Sequence, residues 1–231
     1  MLDLKEEQKF KNLKDMCLEL RVPPPPDVFI RMQVHDKNGA LVSDNKERAH
    51  SFTRNFWNMM FGMAGDSGGD GGSTFGAGYM SKKTTGGVVF GSASGYVERN
   101  DGLYASLGDS STGIVIGTDD TAFNIDQYAL GAQIVNGVST GQMSHLASTS
   151  MGIPSYAATT WKSTLERVFN NNSGGAIVVK ETGLYWDGTM WGSGSPQMIE
   201  RNVLVATSTV ADAAQLTVTY EISMDFSVPD A

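Results

Sequence analysis

The stretch Leu216-Thr217-Val218-Thr219-Tyr220-Glu221-Ile222-Ser223-Met224-Asp225-Phe226 decides the fold. Apolar and polar residues alternate without a break, and in a strand successive side chains point to opposite faces, so one face is apolar and the other wet. Such a strand needs a second layer over its apolar face. Working back along the chain, Asn202 to Ala206, Ala176 to Lys180, Trp161 to Phe169 and the buried run Gly113-Ile114-Val115-Ile116-Gly117 read as further strands, each bounded by glycine, asparagine or serine. Val28 to Val34, the turn Asp36-Lys37-Asn38-Gly39 and Ala40-Leu41-Val42 read as a hairpin, since the Asn-Gly pair tolerates the positive φ that tight hairpin turns require. Many short strands joined by glycine and asparagine turns imply a mainly β protein, an antiparallel β-sandwich.

Three segments stand apart from that pattern. Residues 2 to 20 place Phe10, Leu13, Cys17 and Leu20 at steps of three and four among lysines and acids, which predicts an amphipathic helix roughly 30 Å long. Pro23 to Pro26 then forbid helix and favour a stiff polyproline spacer of roughly 12 Å. Residues 1–26 therefore read as a docking arm whose contacts are Phe10, Leu13, Cys17 and Leu20, and the proline run favours docking on a neighbour over folding back. Residues 46 to 63, with Phe52, Phe56, Met59, Met60 and Met63 on one side and Trp57 and Phe61 beside them, predict a short internal helix in the core. From about 62 to 95 the chain is glycine-rich, a long loop or a segment ordered at an interface within the sandwich domain 27–231.

Composition excludes several classes. The net charge of −8 argues against a nucleic-acid partner, whose footprint is a basic patch. One cysteine and three histidines, His35, His50 and His145, are too few for a structural zinc site, and Cys17 reads as a small buried hydrophobe. No apolar run approaches the length of a membrane span, so a soluble protein made inside a cell is expected.

No constellation of residues commits to chemistry. Gly65-Asp66-Ser67-Gly68-Gly69 matches the nucleophile motif of trypsin-like proteases, but the 66 residues before Ser67 hold no room for the two barrels and no matching histidine motif. Asp66 and Asp70, and Asp119, Asp120 and Asp126, lack the spacing of a calcium loop and read as solvated turn carboxylates. No metal or cofactor is expected. Glu181, Asp187 and Glu200 lie near one aromatic hairpin and would be the carboxylates of a glycoside hydrolase. Arg201 is placed to pair with Glu181 across neighbouring strands. In the hairpin itself, Tyr185-Trp186-Asp187-Gly188-Thr189-Met190-Trp191-Gly192, the turn falls at Asp187-Gly188. Tyr185, Trp186 and Trp191 form either a stacking platform for a sugar or partner, with Trp161 a further ring, or a cap on the core.

Several strings taken in order resemble virion structural proteins of tailed bacteriophages. They are Ser51-Phe52-Thr53-Arg54-Asn55-Phe56, Gly113 to Thr118, Asp126-Gln127-Tyr128-Ala129-Leu130, Arg167 to Tyr185 with its Asn170-Asn171-Asn172-Ser173-Gly174-Gly175 turn, Arg201-Asn202-Val203-Leu204 and Leu216 to Tyr220. The resemblance covers about residues 28 to 226 and leaves out the arm. It implies a particle component without catalytic residues, in the virion after synthesis in the host cytoplasm. The expected function is a non-enzymatic structural subunit, a symmetric homo-oligomer bound to other virion proteins on tail, neck or head. The alternative is a carbohydrate- or receptor-binding module of a fibre, with a host-surface glycan as partner. Neither membrane nor nucleic acid is expected as a partner.

Overall fold

A computed structural model of the chain describes residues 4–22, 24, 26–49, 51–64, 82–90, 102–149, 155–157, 159–187 and 196–225. In chain order the elements are α1 (Leu4–Glu19), β1 (Asp27–His35), β2 (Leu41–Arg48), α2 (Arg54–Ala64), β3 (Lys82–Lys83), β4 (Val89–Phe90), β5 (Gly113–Gly117), β6 (Ser144–His145), β7 (Ser155–Ala157), β8 (Thr160–Asn170), β9 (Ile177–Asp187), β10 (Pro196–Val210) and β11 (Gln215–Asp225). One antiparallel sheet runs β2-β1-β11-β8-β6, with β7 also on β8. A second, β10-β9-β5, packs against it, and β3 and β4 form a small separate ribbon. The protein is mainly β, and the two large sheets make a β-sandwich.

The alternation along β11 does what its spacing requires. Leu216, Val218 and Tyr220 are buried against the second sheet, while Thr217, Thr219 and Glu221 lie on the outer face. Val28, Ile30, Met32 and Val34 of β1 continue the apolar layer, met from the other sheet by Ile114, Ile116, Val179, Leu184, Leu204 and Val210. The short sheet is buried on both faces. Val115, Tyr185 and Met198 on its far side are covered by Leu130, which belongs to the loop 118–132. A strand covered on both sides is expected to be apolar throughout, which is why Gly113–Gly117 shows no alternation.

Two sequence expectations are corrected. The internal helix starts at Arg54 rather than at 46, because Lys46, Glu47 and Arg48 extend the hairpin opposite Arg31, Ile30 and Phe29. Phe52 and Phe56 still pack on the core, their rings 4.3 Å apart, whereas Trp57 is exposed; Met60, Phe61 and Met63 lie outside the residues with described side chains. The aromatic hairpin does not turn at Asp187-Gly188: Asp187 lies opposite Pro196, so the strands join across 188–195. Gly183 belongs to β9. It sits mid-strand, where a Cβ would come 3.1 Å from Leu130, and so makes room for the covering loop.

The arm is not carried outward on a rod. Arg21 adopts φ 56°, the Val22 N–H donates to the Cys17 carbonyl at 2.9 Å and the Arg21 N–H to that of Leu18 at 3.1 Å. This is a Schellman close with arginine where glycine is usual, and it reverses the chain so that α1 lies beside the start of β1. Pro23 and Pro25 fall outside the described residues, as do His50, Ser67, Asp66, Asp70 and most of the glycine-rich stretch; Pro24 is buried.

The sheet edges are covered, with one exception among the described residues. Residues 51–53 pair with β10 at 199–201, residues 132–134 lie along β5, and β6, β7 and 146–149 cover β8. β2 is left open. Its pairing slips at Val34/His35 so that Val42 is unopposed, Lys46 projects from the outer face, and Glu47 points inward. A bulge, an edge lysine and an inward charge each discourage further strand pairing.

Candidate functional site

Two kinds of place deserve comparison as sites: the seat of α1 on the domain, and the ionisable groups buried in the sandwich. At the first, Arg48 is the centre. Its guanidinium donates to Glu7 at 3.0 and 2.9 Å and to Asp27, and lies 3.8 Å from the Phe10 ring centroid and 4.6 Å from that of Phe29. Lys14 adds a second ion pair to Asp27. Glu7, Phe10, Lys14 and Cys17 recur at steps of three and four, the period of a single helix face. A neighbouring stripe, Leu13, Met16 and Leu20, is exposed. Of the predicted arm contacts, Phe10 is thus seated on the chain's own domain, Cys17 is half-buried, and Leu13 and Leu20 face outward.

On the far face of the short sheet, Arg201 and Glu181 are both fully buried. Arg201 Nε donates to Glu181 Oε2 at 2.6 Å, Nη2 to Asp119 at 3.0 Å, and Nη1 to the Thr121 carbonyl at 2.8 Å and Gln127 at 3.1 Å. Glu181 also accepts the N–H of Ala132 at 3.1 Å. The expected pairing is present, diagonal across β9 and β10, but inside the protein rather than on its surface. Gly117 and Gly131 make the cluster possible, since a Cβ at either would overlap the carboxylate of Glu181 or Asp119.

Between the sheets, Glu200 is fully buried, 2.8 Å from the Tyr220 hydroxyl, which is itself 2.8 Å from Thr182 Oγ1; Glu200 Oε1 has no partner. Burial raises the Glu200 carboxyl to about 8, so it is neutral at physiological pH. The Tyr220 hydroxyl donates to Glu200 Oε2 and can accept the Thr182 hydroxyl in turn, which leaves Glu200 Oε1 unpaired among the described residues. Glu47 reaches inward to Asn202 at 2.5 Å and the Val205 N–H at 3.1 Å, and burial raises its carboxyl too. At the other end of the core Arg167 is fully buried without a carboxylate on its guanidinium; it donates to the carbonyls of Asp109, Thr112, Ile114 and Leu146. Burial brings it down to about 10, and burial together with Arg167 brings the adjacent His145 down to about 4.

No family model, curated protein or solved structure matches the chain. The geometry therefore speaks for itself. Glu181 and Glu200 lie on opposite faces of one sheet, each closed from solvent, so they do not flank a common substrate position. Tyr185 is buried under the loop, its hydroxyl accepting the Leu130 N–H at 2.8 Å, while Trp186 packs half-buried on the main core; the two rings face opposite ways and form no common platform. Trp191 lies outside the described residues, and Trp161 is half-buried at the end of β8. Asp119, Asp120 and Asp126 are paired with Arg201, Lys180 and Arg54 rather than solvated alone, and no cluster of three metal-ligating side chains occurs among the described residues. No helix of the described residues is long and apolar enough to cross a membrane.

Sequence reasoning missed Arg48, Arg167 and Glu47. Arg48 had a signal, since its position opposite Phe29 follows once the hairpin is extended past Val42. Arg167 had one as well: in Thr160–Asn170 it occupies the phase of Leu165 and Phe169, which marks a charge inside the core.

Proposed function

We propose that this chain is a non-enzymatic structural subunit of a tailed-phage virion, assembling as a symmetric oligomer on tail, neck or head. The observation that carries the reading is how its buried charge is used. Arg167, Arg201, Glu181 and Glu47 each bind backbone or side chains that hold a loop or a sheet edge in place, and all four are buried. Charge arranged this way stabilises a scaffold; catalytic charge has to meet a substrate. The ordered series of strings that resemble those of tailed-phage virion proteins supports the particle context. The exposed stripe Leu13, Met16 and Leu20 supplies an apolar surface for a neighbouring virion protein.

The test is incorporation. A chain carrying Leu13→Ser, Met16→Ser and Leu20→Ser together is expected to fold with unchanged circular dichroism and melting temperature, because all three side chains are exposed, yet to be absent from purified particles. Normal incorporation of that variant would overturn this use of the arm.

A further inference from the structure

The seat of α1 is made by six side chains, Glu7, Phe10 and Lys14 on the helix and Asp27, Phe29 and Arg48 on the domain. Apart from stacking on Phe10 and Phe29 it is ionic, and every contact in it can be made equally well by the helix of another copy. The choice between the two is made by the connecting segment. In the closed arrangement Arg21 is held in the left-handed region, which disfavours any residue with a Cβ, and the chain must reverse immediately before four consecutive prolines. Those prolines favour extension. A strained reversal next to a stiff extended segment is the arrangement from which identical elements exchange between protomers.

We propose that α1 exchanges between two copies of this chain, each helix seating on Arg48 and Asp27 of the other. In the exchanged form the chain runs from α1 straight into the proline segment and Arg21 leaves the left-handed region. Residues 20–26 span at most about 24 Å when extended, so the two seats lie within that distance across a two-fold axis. The proposal deepens the reading of the protein as an assembly subunit and rests on it for its purpose, while its geometry stands independently.

Two measurements on the full chain decide it. Light scattering on a sizing column over a wide concentration range is expected to give a dimer that dissociates on dilution. Arg21→Gly, which relieves the closed form, is expected to weaken that dimer roughly tenfold. Glu7→Arg and Arg48→Glu are expected to be monomeric when separate, each placing like charges at the seat, and to form a heterodimer when mixed, because each helix then finds its complement only on the other chain. A strictly monomeric wild type would overturn the exchange, as would recovery of the seat by the two substitutions in one chain without recovery in the mixture. Should Arg48→Glu not fold, the response of the wild-type dimer to Arg21→Gly decides alone, and no weakening overturns the proposal. A monomer whose Leu13, Met16 and Leu20 variant still fails to enter particles would end the exchange and leave the assembly reading standing.

Discussion

Among the described residues, two with a Cβ occupy the left-handed region, Arg21 after α1 and Ala213 in the turn between β10 and β11. The second is held from outside. Asn171 donates through Nδ2 to the carbonyls of Val210, at 2.8 Å, and Ala211, at 3.1 Å, and its carbonyl accepts the Ala213 N–H at 2.8 Å. One asparagine thus fixes both its own turn and a turn forty residues away in the chain. Ala213→Gly is expected to raise stability by about 1 kcal/mol, since glycine takes this conformation without steric cost. A shift of the urea midpoint to higher concentration with an unchanged slope is the result to look for. Where glycine itself takes positive φ, as at Gly39, the turn could be read from the sequence; at Ala213 no residue announces it.

Among the elements, the loop 118–132 is held in position by buried charge. Arg201→Met removes the cation from a fully buried carboxylate and is expected to destabilise by about 3–5 kcal/mol. Glu181→Gln combined with it is expected to recover part of that loss, and a double-mutant cycle by denaturant unfolding checks the coupling. Hydrogen exchange at Leu130 and Ala132, whose N–H groups bond to Tyr185 and Glu181, reports whether the loop itself has loosened. The strands were legible because period-two alternation follows directly from burial on one face, as in β1 and β11. The second helix was misplaced because Lys46, Glu47 and Arg48 carry no apolar alternation: their roles, a cation over Phe29, an inward cap and the seat of α1, are set by groups remote in sequence. The pairing of Glu181 with Arg201 was legible; its burial was not, since the covering loop is itself polar and glycine-containing.

At the scale of the whole molecule, buried titratable groups set a pH profile. Glu200 binds its proton up to about 8 when folded and up to about 4.5 when unfolded, so its contribution to stability is full below 4.5 and falls as pH rises towards 8. Glu47 acts in the same direction above 4.5. His145 acts oppositely: neutral in the fold down to about 4 but protonated below 6.5 when unfolded, it favours the fold increasingly as pH rises from 4 to 6.5. Above 6.5 the histidine is silent. Stability is therefore expected to fall between pH 6.5 and 8 by up to about 1.4 kcal/mol per unit, and Glu200→Gln should flatten that limb. A melting-temperature series across this range checks it. The open edge of β2 bears on crowding. With Val42 bulged, Lys46 outward and Glu47 turned in, the strand is a poor template for lateral annealing, so copies of this chain crowded side by side would tend to meet without fusing their sheets. Order in such an array would then be set by helices and side chains, contacts that release and re-form, rather than by continuous backbone pairing that grows without limit.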